Sequence, residues 1–142
     1  MAKVSAILTR KGNQAISVST ETKVFDALKI MADKNIGSLV VLNGDEYAGI
    51  LTERDYSRKV ILQGKHSDEV TAGEIMSTNL PTLTPQDSVE HCMQLMSDKN
   101  IRYLPVFDNG QLAGIISISD VVTETILQQK ETINQLQNYI QG

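Results

Sequence analysis

A shift of 65 residues lays one stretch of this chain on another: residues 24–55 align with residues 89–120 without a gap. Agreement is strongest where Met31-x-Asp33-Lys34-Asn35-Ile36 meets Met96-x-Asp98-Lys99-Asn100-Ile101. It returns as Ala48-Gly49-Ile50 against Ala113-Gly114-Ile115 and runs to Asp55 and Asp120. Ile61-Leu62-Gln63 also recurs, as Ile126-Leu127-Gln128. A duplicated unit this small cannot readily bury an apolar face alone, so the two copies are expected to pack as one pseudo-symmetric body, with paired clefts between them.

The 142 residues suit one compact domain or two subdomains sharing a core. The longest apolar runs are about six residues, far short of the roughly 20 needed to cross a bilayer. The start, Met1-Ala2-Lys3-Val4, has no apolar stretch of the secretory kind, so a cytoplasmic location is expected, with no membrane partner. A net charge of −4 argues against a general nucleic-acid binder, and with no Trp and two Phe there is little for bases to stack on. Arg54, Arg58 and Lys59 still make a local positive patch for a small anion, unless they are solvated surface charge.

Candidates for catalysis are few. Cys92 lies opposite Ala27 of the first copy on the apolar face of a helix, where a small buried hydrophobe is expected. His66 and His91 are the only histidines, which leaves little for a metal site or a triad. No cluster joins a nucleophile, a general base and an oxyanion donor, so the chain reads as no enzyme, with no metal required.

Each copy reads as β-α-β-β-α, an α+β pattern. In the first, residues 15–18 alternate as a short strand, and Val24, Leu28, Met31 and Ala32 recur at helical spacing to about Lys34. Residues 38–42 and 47–52 form a hairpin about Asn43-Gly44-Asp45, and a second helix is expected from about Glu53 to Leu62. In the second copy, a strand at residues 82–84 precedes a helix that Thr84-Pro85-Gln86-Asp87 is expected to start. Asp108-Asn109-Gly110 then joins residues 103–107 to 112–117. Residues 72–76 read as a helical lead-in to the second copy, and residues 3–8 as the same for the first. The last helix is longer than its counterpart. Val122, Ile126, Gln129, Ile133, Leu136 and Ile140 step along it by 4, 3, 4, 3 and 4, a heptad seam that either packs back on its own domain or joins subunits.

Both return strands enter their helices through one pattern: Gly49-Ile50-Leu51-Thr52-Glu53-Arg54-Asp55 and Gly114-Ile115-Ile116-Ser117-Ile118-Ser119-Asp120. A hydroxyl followed three residues later by an acid is a helix capping box in any protein. The repeated glycine points further, to close approach of a ligand to the backbone. The N–H groups of a helix start suit a phosphate, and a carboxylate suits a ribose diol.

The repeated unit with its Gly-h-h-[Ser/Thr]-x-x-Asp motif (h, hydrophobic) resembles the CBS domain, named for cystathionine β-synthase. Two copies resemble a CBS pair, or Bateman module. The resemblance spans residues 4–130 and is sharpened by Leu104-Pro105-Val106 on the second copy's middle strand. The run from Thr52 to Val60 is similar to free-standing bacterial CBS-pair proteins with no attached enzyme. It implies repeats at residues 4–65 and 70–130, followed by a helical extension at residues 131–142.

It further implies a non-catalytic regulatory module whose clefts bind an adenine nucleotide: AMP, ADP, ATP, NAD or NADH. Carried over by position, the first cleft would use Thr52 and Asp55, with Ile16 and Val18 flanking the base, Arg54 and Arg58 helping, and Arg102 reaching the phosphate. The second would use Ser117 and Asp120, with Pro81 and Leu83 near the base. Arg102 aligns with Gly37, so phosphate neutralisation is expected to be better in the first cleft. The implied partners are the adenosine-type ligand, a second copy in a homodimer, and a regulated protein of unknown identity. The alternative is a structural dimerisation adaptor with vestigial sites.

Overall fold

Asn35 and Asn100 explain why the Met-x-Asp-Lys-Asn-Ile string occurs twice. In the computed structural model, which describes residues 2–12 and 15–141, both asparagines end a helix in the left-handed region, at φ 54° and 53°. The N–H groups of Ile36 and Ile101 then reach back to the carbonyls of Met31 and Met96, at 3.0 Å each. This six-to-one closure stops the helix and turns the isoleucine onto the core below it.

The elements run α1 (Val4–Lys11), β1 (Ser17–Ser19), α2 (Val24–Lys34), β2 (Ser38–Asn43), β3 (Glu46–Thr52), α3 (Glu53–Lys59), a 3₁₀ turn (Ile61–Gln63) and α4 (Ala72–Ile75). They continue with α5 (Val89–Lys99), β4 (Tyr103–Asp108), β5 (Gln111–Ser117) and α6 (Ile118–Gln141). The fold is α+β, with two small sheets and a long C-terminal helix. The chain divides into a unit formed by Ala15–Leu80 and a unit formed by Met1–Gln14 together with Pro81–Gly142.

In the Ala15–Leu80 unit, β1 pairs parallel to β2, and β2 pairs antiparallel to β3. The hairpin turns with glycine at its first central position (Gly44, φ 64°), as a two-residue II′ turn requires. Ala48 is the extra residue of a β-bulge between the Val41↔Gly49 and Leu42↔Tyr47 pairs. Val18, Val24, Met31, Leu39 and Leu51 fill the core beneath. The second helix is shorter than the expected run to Leu62, because Val60 leaves helical geometry (φ −117°, ψ −73°) with its side chain fully buried.

The other unit repeats the core with Leu83, Val89, Met96, Leu104 and Ile116, each 65 positions on. Its hairpin turns through Asn109 and Gly110, both at positive φ, and Ala113 takes the bulge. Thr125 stands where the first copy has Val60. It stays helical with its hydroxyl donating to the Val121 carbonyl, and α6 runs on.

Three further sequence expectations are corrected. The strand expected at residues 82–84 is reduced to a single parallel bridge, Leu83↔Val106. In the first copy the Val40 N–H donates to the Ile16 carbonyl at 3.0 Å, but the corresponding residue is Pro105, which has no N–H to give. Next, α5 begins at Val89 with Ser88 as its cap, its hydroxyl accepting from the His91 N–H at 3.0 Å. Thr84 and Asp87 instead close a turn, the Thr84 N–H donating to Asp87 Oδ2 at 2.7 Å. Finally, α1 packs with the second copy and α4 with the first. The Val4 N–H donates to Asp87 and the Val89 N–H to Ala2, just as the Ala72 N–H donates to Thr22 and the Val24 N–H to Val70.

Candidate ligand sites

The junction of β3 with α3 is a complete capping box. Thr52 Oγ1 accepts from the Asp55 N–H at 3.1 Å, and Asp55 Oδ2 accepts from the Thr52 N–H at 3.0 Å. Oδ2 also takes the Thr52 hydroxyl at 3.0 Å. Oδ1 takes the Ser77 hydroxyl at 2.9 Å and the Lys59 ammonium at 3.1 Å. Asp55 is only 6% exposed, and its four donors match the roughly four lone-pair positions of a carboxylate. Lys59 is held in turn by the Ile75 carbonyl, at 2.9 Å, at the end of α4.

The second motif is built alike but filled differently. Ser117 Oγ accepts from the Asp120 N–H at 3.1 Å, and Asp120 Oδ2 accepts from the Ser117 N–H at 2.8 Å. A lysine again reaches the carboxylate, but it is Lys11, from the end of α1, whose Nζ lies 2.8 Å from Oδ2 and 2.9 Å from the Ile115 carbonyl. Arg10 pairs with the buried Glu124 one turn further along α6. Among the described residues, no donor reaches Oδ1 of Asp120. Lys11 was missed in the sequence because residues 4–11 align with residues 72–79 at a shift of 68, outside the 65-residue register. The signal available was Arg10-Lys11-Gly12, a basic helix end with a glycine stop.

The motif glycines serve packing. A Cβ on Gly49 would lie 2.7 Å from the Ser77 carbonyl oxygen and 3.0 Å from Met76 Sδ; one on Gly114 would lie 2.8 Å from Leu8 Cδ2. What approaches the backbone at these positions is therefore the chain's own α4 and α1 segments, which corrects the reading that the glycines make room for a ligand. The helix-start N–H groups are also partly spoken for. Those of Glu53 and Ile118 donate to the carbonyls of Gly37 and Arg102, at 3.3 and 2.9 Å.

The other predicted positions divide by burial. The side chains of Val18 and Leu83 lie in the two cores, at 8% and 0% exposure, so neither offers a face to a base. Ile16 and Pro81 are half-buried at the starts of their segments. Because β1 is a sheet edge that bonds β2 through Ile16, Val18 and Thr20, the N–H and C=O of Ser17 point away from β2. Arg54 is half-buried, while Arg58 and Arg102 are exposed.

Cys92 is fully buried, and its thiol pKa is pushed up to about 11, first by burial and then by the charges of Asp120 and Asp87. Among the described residues no group of His, Cys, Asp and Glu is placed to hold a metal ion, and no helix is long and apolar enough to cross a membrane.

The CBS-domain family profile matches residues 4–61 and again residues 72–126, so the chain belongs to the CBS-domain family, as a tandem pair. A mitochondrial CBS domain-containing protein of Arabidopsis thaliana is 40% identical, over 98% of this chain and 72% of its own length. A CBS-domain protein of Burkholderia ambifaria superposes with a TM-score of 0.86 at 43% identity, covering 90% of this chain and 96% of that one. A hexameric CBS-CP12 protein from bloom-forming cyanobacteria superposes at 0.74 with 30% identity, covering 85% and 66%. CBS pairs are generally ligand-binding regulatory modules and usually not catalytic.

Proposed function

We propose that this chain is a non-catalytic sensor of adenine nucleotides, of the AMP, ADP, ATP or NAD type, acting in the cytoplasm as a homodimer on a partner protein. The observation that supports it most is the duplicated hydroxyl–carboxylate junction in a chain of this family. Each Asp carries a ribose diol, each Ser or Thr a phosphate oxygen, and backbone groups such as those of Ser17 read the adenine edge.

Between the two motifs, the lone-pair count favours Ser117–Asp120. Among the described residues Asp120 keeps Oδ1 open, while Lys11 holds Oδ2. Asp55 must give up one of four bonds before a ribose can use it. This reverses the preference that Arg102 alone suggests. A second reading, a dimerisation adaptor with vestigial sites, is favoured by that filled Asp55 and by the apolar stripe on α6.

Thermal melting with a nucleotide panel separates the two. At a hundredfold excess over Kd a ligand adds about 2.7 kcal/mol, which for a chain of this size raises Tm by roughly 5–10 °C. A shift with adenine nucleotides and none with guanine nucleotides is expected. No shift with any nucleotide at millimolar concentration favours the adaptor.

A further inference from the structure

We propose that α6 joins two copies of this chain as a parallel, in-register, two-stranded coiled coil. This specifies the homodimer of the reading above and is independent of its ligand.

The helix has two faces. Val121 and Glu124 are buried within their own unit, where α6 packs against α1, α5 and β5. At about 100° per residue, Ile133 lies nine residues and about 180° from Glu124, on the opposite side. That side carries Val122, Ile126, Ile133, Leu136 and Ile140, 46–80% exposed. From Gln129 to Gln141 every helical residue is exposed, so the second half of α6 is a helical arm with an uncovered apolar edge. A dozen helical residues with no packed face are marginal in water, and a partner along the stripe supplies the burial they lack.

The order of residues along the stripe says which partner. In heptad register the a positions are Ile126, Ile133 and Ile140, and the d positions are Val122, Gln129 and Leu136. Isoleucine at all three a positions, with leucine at the d position between the last two, favours two parallel strands. Gln129 is the one polar residue on the seam. In a parallel, in-register pair it meets its own copy and the two amides bond each other, whereas an antiparallel pair sets each against an apolar side chain and leaves its amide unpaired. The flanking e and g positions are Thr123, Lys130 and Gln137, and Thr125, Thr132 and Tyr139. With a single charge among the six, nothing repels an identical helix, and nothing selects a different one by opposite charge. The folded unit already holds the first turns of α6, so the arm does not pay for its own nucleation.

The test uses the full chain in sedimentation velocity at low micromolar concentration. The native chain is expected to be a dimer, and the variant with Ile133→Lys and Leu136→Lys a monomer with at least a hundredfold weaker self-association. Both side chains are exposed, so the fold is kept, and unchanged nucleotide-induced melting shifts separate loss of the dimer from loss of the ligand site. A variant that stays dimeric, or a native chain that is monomeric, overturns the proposal. Orientation is read from Leu136→Cys, whose thiols oxidise to a covalent dimer if the helices are parallel. In an antiparallel pair centred on the Val122–Ile140 stripe they lie ten residues, about 15 Å, apart along the axis. A dimer that fails to cross-link overturns the parallel register.

Discussion

Two glycines in matching positions meet different neighbours, and that difference can be measured. A methyl group on Gly49 runs into the backbone oxygen of Ser77, which is tied to Ile50 through two hydrogen bonds and cannot easily withdraw. A methyl group on Gly114 meets only the end of the Leu8 side chain. Gly49→Ala is expected to destabilise by about 1–3 kcal/mol and Gly114→Ala by less than about 1 kcal/mol, read from urea unfolding. Equal costs would contradict the packing account. Cys92 gives a second test at this scale. Burial raises its folded pKa from 9.0 to about 11, so the neutral thiol is the folded form, and its contribution to stability is lost as pH climbs through that window. Below pH 9, iodoacetamide is expected to label Cys92 only on unfolding, and rapid labelling of the native chain would contradict its burial. The sequence showed both motif carboxylates and their capping hydroxyls, because a capping box is local. It could not show Ser77 or Lys11 on those carboxylates, since those contacts come from segments placed by tertiary packing.

At the scale of elements, the repeat was legible wherever hydrophobic spacing and turn residues are local: α2, both hairpins and the asparagine helix stops. It misled where one residue changed the backbone's bonding. Pro105 in place of Val40 removed a donor and with it a strand, and the Thr84–Asp87 turn resembles a helix cap, a role that Ser88 takes one residue before α5. The left-handed stops make a direct prediction. Asn35→Ala is expected to cost about 1 kcal/mol in denaturant unfolding, and Asn35→Gly close to nothing, because only the alanine is strained at positive φ. An alanine variant as stable as the native chain would contradict that assignment.

Over the whole molecule, a duplicated sequence has produced two units with matching cores and matching strand-to-helix motifs, whose lysines come from different places. Lys59 belongs to the motif's own helix, while Lys11 arrives from α1. That asymmetry sets the order of ligand occupancy that the account predicts, and it is most directly tested by isothermal titration. AMP, ATP, NAD and NADH would be titrated into the native chain and into folded Asp120→Asn and Asp55→Asn variants. At least one ligand is expected to bind saturably, with Asp120→Asn weakening the tightest event tenfold or more through loss of charge-assisted ribose bonds, and Asp55→Asn leaving that event nearly unchanged. Binding that survives Asp120→Asn at full affinity, or no binding of any of the four, would contradict the account.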